Sequence, residues 1–128
     1  MDVSVVAPSN WLSQVKRGLL ELCILNLLVQ ESMYGYQIVK RITAIPGLVI
    51  SEGTIYPLLS RLKTQGLLTS TLVESTQGPA RRTYVVTESG RSYLEAINQG
   101  WEEIVQAVGQ CVNGRNGTAE RKSTHEGA

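Results

Sequence analysis

Phenylalanine is absent from this chain, histidine occurs once and cysteine twice. The single histidine, His125, lies in a polar stretch near the C-terminus. Cys23 and Cys111 are far apart, with no Cys-x-x-Cys or Cys/His spacing, so no metal ion is expected. Cys23 falls in an apolar segment and reads as a small buried hydrophobe. No paired carboxylates stand in a recognisable frame and no glycine-rich phosphate loop is present, which leaves no catalytic constellation and no expected cofactor. No apolar run approaches the roughly 20 residues that span a bilayer. Met1 to Pro8 lacks the basic start and long apolar segment of a secretory signal. These absences point to a cytoplasmic protein that is not an enzyme and has no membrane partner.

Positive charge is scarce overall, with a formal net of +1, but it is unevenly distributed. Residues 1–32 hold Lys16 and Arg17 against Asp2, Glu21 and Glu31, a net of −1. Residues 33–86 hold Lys40, Arg41, Arg61, Lys63, Arg81 and Arg82 against Glu52 and Glu74, a net of +4. Residues 87–128 hold Arg91, Arg115, Arg121 and Lys122 against Glu88, Glu95, Glu102, Glu103, Glu120 and Glu126, a net of −2. A basic middle between two acidic ends suits a central unit that faces a polyanion.

That middle contains a helix with two faces. Ile55, Leu58, Leu59 and Leu62 recur at i, i+3, i+4 and i+7, an apolar stripe for a core. Thr54, Tyr56, Ser60, Arg61, Lys63 and Thr64 give hydroxyls and cations elsewhere, as a helix in a DNA major groove requires. Pro57 constrains where this helix starts. With Thr54 as N-cap, Pro57 falls in the first turn, where an amide has no partner to lose; with Ser51 as N-cap it lies deeper and bends the start. The proline favours Thr54. Either register leaves amides near Ser51 to Thr54 able to meet a phosphate.

Gly66 is a helix stop, and Leu67 to Glu74 is rich in β-formers. The cluster Ser75 to Pro79 then turns the chain into a second strand with Arg81 and Arg82 at the loop's exit. Upstream, a first helix is expected from Trp11 to Glu31, nearly all apolar between Leu19 and Val29, and a short second helix from Tyr36 to Ala44. The linker Ile45 to Ile50 is expected to add a short third strand at its end. Three helices and a basic hairpin describe a winged helix-turn-helix.

Thr87 is a good N-cap for a fourth helix reaching Asn113. Leu94, Ile97, Trp101, Ile104, Val108 and Cys111 follow a 3-4 spacing, a heptad seam. A helix of this length spans roughly 35–40 Å at 1.5 Å per residue, more than a small winged domain covers. The distal seam either folds back on the chain's own first helix or, as expected here, pairs with a second copy, with Trp11 adding to the interface. Gly100 and Gly109 each cost such a helix up to about 1 kcal/mol relative to alanine. Gly114 to Ala128 is polar and without pattern. The expected fold is mainly α with a small β-hairpin: residues 1–10 a flexible N-terminus, 11–86 the winged helix-turn-helix, 87–113 a dimerisation helix and 114–128 a disordered tail.

Four segments resemble the PadR family of bacterial transcriptional regulators. They are Arg17 to Leu25, Tyr34-Gly35-Tyr36-Gln37-Ile38, Gly53 to Leu62 with its Gly-Thr-Ile-Tyr-Pro-Leu-Leu run, and Arg82 to Gly90. They occur in order and, with the seam, cover roughly residues 16–112. The resemblance implies a homodimeric winged-helix regulator, usually a repressor, released from a pseudo-palindromic operator by a small ligand or other signal. The chain looks like the short subgroup with one C-terminal dimerisation helix. In some short members a tryptophan placed like Trp101 lines an interface cavity that admits flat aromatic compounds; here Trp101 is either such a wall or plain interface core. The expected DNA-contacting residues are Ser51, Thr54, Tyr56, Ser60, Arg61, Lys63, Lys40, Arg81 and Arg82. The expected interface or ligand residues are Leu94, Ile97, Trp101, Ile104, Val108 and Trp11. The expected partners are double-stranded DNA, a second copy of the chain and a small aromatic effector. An alternative is a multidrug or aromatic-compound sensor whose ligand sits near Trp101.

Overall fold

A computed structural model describes residues 6–48 and 50–116. It divides into two units, residues 1–94 and 95–128. In the first, α1 (Ser9–Gln30) leads into the two-residue strand β1 (Met33–Tyr34), α2 (Gly35–Thr43), α3 (Glu52–Thr64), β2 (Leu68–Ser75) and β3 (Gly78–Val86). The last helix, α4 (Glu88–Asn116), begins in the first unit and ends in the second. The expected flexible N-terminus and disordered tail lie outside the described residues at 1–5 and 117–128; Ser9 and Asn10 already belong to α1, and residues 114–116 continue α4.

Apolar side chains from every element except α4's distal part meet in one core. Ile24 and Leu25 of α1, Ile38 and Ile42 of α2, Ile55, Leu59 and Leu62 of α3, and Leu68 of β2 are the largest side chains fully shielded from water. Each such side chain stabilises the fold by about 1.5–3 kcal/mol relative to exposure. The helical stripe predicted for α3 is buried throughout. The sole buried charged residue among those described is Glu21, 9% exposed, on α1.

The sheet order is β1-β3-β2, antiparallel throughout. The third strand is thus Met33–Tyr34, and not the end of the Ile45–Ile50 linker. The linker instead curls after α2: the Leu48 amide donates to the Ile45 carbonyl at 3.3 Å and Gly47 takes φ 92°, a conformation that does not continue a strand. The hairpin turn is also tighter than Ser75 to Pro79. It comprises Thr76 and Gln77 alone, with Ser75 paired to Gly78. An irregularity follows between Val73 and Ser75, where β3 uses one more residue than β2 to pass from the Arg81 pair to the Gly78 pair. Pro79, which has no amide to donate, sits in that bulge. Arg81 and Arg82 consequently lie within β3, opposite Val73 and Leu72, rather than at the loop's exit.

α3 starts one turn earlier than Pro57 suggests. Its N-cap is Ser51, so Pro57 is an interior residue of the helix. The Ser51 carbonyl accepts from the Thr54 amide at 3.2 Å and the Thr54 hydroxyl at 2.8 Å, which closes the first turn, and Glu52 faces the positive end of the helix dipole. Pro57 and Gly53, whose carbonyl loses its amide partner, are both exposed, so water meets the orphaned oxygen. At the other end Gly66 takes φ 80°, its amide donates to the Lys63 carbonyl at 3.0 Å, and the Leu67 amide donates to the Leu62 carbonyl at 3.0 Å. This is a Schellman stop that turns the chain from α3 straight into β2.

Thr87 caps α4, as expected from the sequence. Its hydroxyl accepts from the Gly90 amide at 2.9 Å and donates to the Gly66 carbonyl at 2.7 Å, while its own amide donates to the Leu67 carbonyl at 3.1 Å. The start of α4 is therefore tied to the corner between α3 and β2.

Candidate nucleic-acid interface

Helical spacing of about 100° per residue divides the polar part of α3 into three strips. Gly53, Pro57, Ser60 and Thr64 form the crest opposite the buried stripe, and all four are exposed. Tyr56 and Lys63 lie on the flank beside the hairpin. Thr54 and Arg61 lie on the flank beside α1. Of the α3 residues expected from the sequence to contact DNA, only Ser60 stands on the crest; Gly53, Pro57 and Thr64 share it and were not among those contacts.

On the hairpin flank, cations gather without acids. Lys63 Nζ donates to Ser70 Oγ at 3.0 Å, and Arg82 Nη1 donates to the same hydroxyl at 2.8 Å. Among the described residues neither cation has a carboxylate within ion-pair distance. Two like charges held on one neutral oxygen repel each other, and an incoming anion would offset that repulsion. Arg81, pointing to the other side of β3, lies over two tyrosine rings. Its guanidinium carbon is 5.4 Å from the Tyr34 ring centre and 5.2 Å from that of Tyr36, and the two rings stack at 6.3 Å. Arg81 Nη1 also donates to the Tyr36 hydroxyl at 3.4 Å. The aromatic platform holds a long cation extended where a phosphate can meet it, at a lower entropy cost than a free arginine.

Arg81 and Arg82 line an open cleft of about 460 Å³ together with Tyr34, Tyr36, Tyr56 and Tyr84. Gly35 lets the Tyr56 ring come close to the backbone: a Cβ there would lie 2.9 Å from Tyr56 Cε1. Burial pushes the Tyr84 phenol above its ordinary pKa, an effect opposed by the Arg82 charge. Lys40 is exposed on α2 and Ser51 is exposed at the start of α3.

Arg61 is placed differently. Its Nη2 lies 3.3 Å from Glu21 Oε1 on α1, and the Tyr93 hydroxyl of α4 donates to the other oxygen of the same carboxylate. That bond pushes the Tyr93 phenol above its ordinary pKa, with burial adding to it. Glu21 thus joins three helices. The sequence carried one hint of this, a lone carboxylate inside an apolar helix; its partners are 40 and 72 residues away.

The seam residues divide as well. Leu94 is buried in the first unit. Ile97 is half-buried, whereas Trp101, Ile104 and Val108 are 39%, 55% and 55% exposed, with Val105 and Val112 beside them. Trp11, at the start of α1, is exposed. Among the described residues no group of histidine, cysteine, aspartate or glutamate could hold a metal ion, and no helix is long and apolar enough to cross a membrane.

A helix-turn-helix pair whose second helix is flanked by a three-stranded antiparallel wing defines a winged-helix protein. Residues 24–96 match the transcriptional regulator PadR-like family. The chain is 33% identical over 107 residues to the transcriptional regulator Rv3488 of Mycobacterium tuberculosis, covering 82% of this chain and 98% of that one. A crystal structure of a PadR-like transcriptional regulator from Bacillus cereus superposes with a TM-score of 0.70 at 36% identity, over 77% of this chain and 96% of that one. A PadR family regulator from Eggerthella lenta gives 0.71 at 32% identity, over 81% and 90%. The chain belongs to the PadR-like family of transcriptional regulators.

Proposed function

We propose that this regulator is a repressor that binds a pseudo-palindromic operator in duplex DNA as a two-fold homodimer. The observation that carries the reading is the Lys63–Ser70–Arg82 cluster, two cations on a neutral hydroxyl, beside an Arg81 held extended over tyrosines. In this reading the α3 crest, with Ser60 and its neighbours, enters the major groove. Tyr56, Ser51 and Thr54 make nearby backbone or base contacts, and Lys63, Arg81, Arg82 and Lys40 neutralise phosphates, whereas Arg61 is held by Glu21. The exposed apolar stripe of α4 supports pairing with a second copy, since an exposed apolar helix face of this kind is unfavourable in water. The two reading heads would then meet half-sites about one helical turn apart. A small ligand or other signal would release the complex.

Selection of bound sequences from random duplex DNA, followed by fluorescence anisotropy on the selected site, tests this. With Lys40, Lys63, Arg81 and Arg82 on each protomer, affinity should fall roughly 10³–10⁵-fold between about 50 and 200 mM salt. Binding that ignores salt, or a selection that yields no symmetric site, contradicts the proposal. A second reading has its own support in Trp101, which is large, flat and 39% exposed on the α4 stripe: the interface would hold a flat aromatic effector against the indole. Titration with aromatic cations while following tryptophan emission, with Trp101→Ala as control, tests it; an unchanged signal leaves Trp101 as interface core.

A further inference from the structure

Glu21 is the one buried charged residue among those described, and it stands in the apolar run of α1. A carboxylate there gives up water, at a cost offset only when its oxygens find donors. Oε1 lies 3.3 Å from Arg61 Nη2 of α3, and Oε2 accepts from the Tyr93 hydroxyl of α4. An apolar residue of similar size would fill the same space without that cost. What it would not supply is direction: apolar contact tolerates sliding, whereas a charge-assisted hydrogen bond fixes its partners in place. Direction matters at this point of the fold. An open groove of about 660 Å³ separates part of α3 from the N-terminal half of α1, and Arg61, which lines it, also reaches the α1 carboxylate. The groove leaves α3 room to shift on α1, and the ion pair holds it across the gap.

Arg61 directly follows Ser60, the crest residue, so a hold on Arg61 is a hold on the crest. Tyr93 lies in the second turn of α4. One carboxylate therefore grips the reading helix with one oxygen and the start of α4 with the other. We propose that Glu21 is a positioning residue for sequence recognition, which fixes the α3 crest against the start of α4 through Arg61 and Tyr93 without touching DNA. Base-edge contacts demand defined hydrogen-bond geometry, whereas flexible cations on phosphates tolerate displacement. Loosening the grip therefore costs discrimination between sequences and spares general affinity for duplex DNA. That consequence rests on the DNA-binding proposal above; the restraint itself does not.

Two variants of the full chain test this. Tyr93→Phe removes one hydroxyl and, at neutral pH, no charge. Glu21→Gln keeps the size of the side chain, gives up the carboxylate and releases the Arg61 cation. Anisotropy at one salt concentration gives affinities for the selected operator and for a duplex of random sequence. The operator-to-random ratio should fall about tenfold in Glu21→Gln, the scale of one hydrogen bond to a charged group, and at least about threefold in Tyr93→Phe. Random-duplex affinity should stay within about twofold in Tyr93→Phe and hold or rise in Glu21→Gln, where a cation is set free. A residue that only stabilises the fold would lower both affinities alike, in step with the melting temperature. That result, or an unchanged ratio in Tyr93→Phe, overturns the proposal whether or not Glu21→Gln folds. Amide hydrogen exchange in the DNA-free protein gives an independent reading of the restraint. Exchange in the first two turns of α4 should quicken in Tyr93→Phe, and in α3 as well in Glu21→Gln, while β2 and β3 keep their protection. Unchanged exchange in Tyr93→Phe overturns the restraint. A parent protein that selects no operator defeats the DNA-binding proposal instead, and the exchange measurement then decides the restraint alone.

Discussion

Adding one methyl group at Gly90 should damage this fold more than any surface change on α4. A Cβ built there would lie 2.2 Å from the Leu67 carbonyl oxygen and 2.8 Å from Val86 Cγ1. The first neighbour is backbone and cannot rotate aside, so the start of α4 must back away by about 1 Å to restore ordinary contact. The same carbonyl accepts from the Thr87 amide at 3.1 Å, and the Thr87 hydroxyl reaches the Gly66 carbonyl at 2.7 Å. Both bonds lengthen if α4 withdraws, at about 1 kcal/mol each, and overpacking of the core adds about 1–3 kcal/mol. Alanine's better helix propensity returns up to about 1 kcal/mol. The net is a destabilisation of about 2–4 kcal/mol, a fall in melting temperature of roughly 10 °C for a domain of this size. Gly18 of α1 supplies the control. It is exposed and helical, and a Cβ there meets nothing within 4 Å, so Gly18→Ala should raise stability by up to about 1 kcal/mol. Thermal denaturation followed by circular dichroism, at equal protein concentration because a dimer's melting point depends on it, measures both. A Gly90→Ala melt within about 2 °C of the parent would show that the corner yields, and would refute the claim that α4 is rigidly seated on Leu67.

The Arg81→Gln variant should weaken every duplex alike and lower the salt slope by about two units, one for each protomer of the proposed dimer, whereas Ser60→Ala should change the preference between sequences; anisotropy on matched and mismatched sites separates them. Tyr93 titrates higher in the fold than free in the unfolded chain, because its hydroxyl donates to Glu21. Its contribution is therefore complete below the unfolded value near 10.0 and is lost as pH rises through the folded value. Denaturant midpoints should fall above pH 10 more steeply in the parent than in Tyr93→Phe; parallel curves would deny the link. Finally, Val108→Glu puts a charge on the exposed α4 stripe and should convert a dimer to a monomer in sedimentation at micromolar concentration, with the melt of the first unit preserved.

Much of the architecture was legible from local signals. The α3 stripe, the Thr87 cap and the Gly66 stop each depend on residues within one or two turns, where helical period and backbone freedom decide the outcome. Where reading by sequence failed, a distant or competing contact won. Pro57 argued for a late helix start, but hydrogen bonds from Thr54 to Ser51 and an exposed Gly53 carbonyl let the helix begin earlier. The third strand went to Met33–Tyr34 because β3 was free to pair there, a partnership across some fifty residues that no window contains.

The amino-acid sequence by itself determined the apolar stripe that α3 buries, the order of the four helices and the hairpin, and the concentration of positive charge between residues 33 and 86. Periodicity and composition are local, and they settle those matters before any long-range contact forms. Only the tertiary structure decided what each cation does. It set Lys63 and Arg82 on one hydroxyl, laid Arg81 over two tyrosines, and turned Arg61 away to Glu21. Whether a charged side chain is held ready for a partner or spent within the fold depends on its neighbours in space, and those are set by packing.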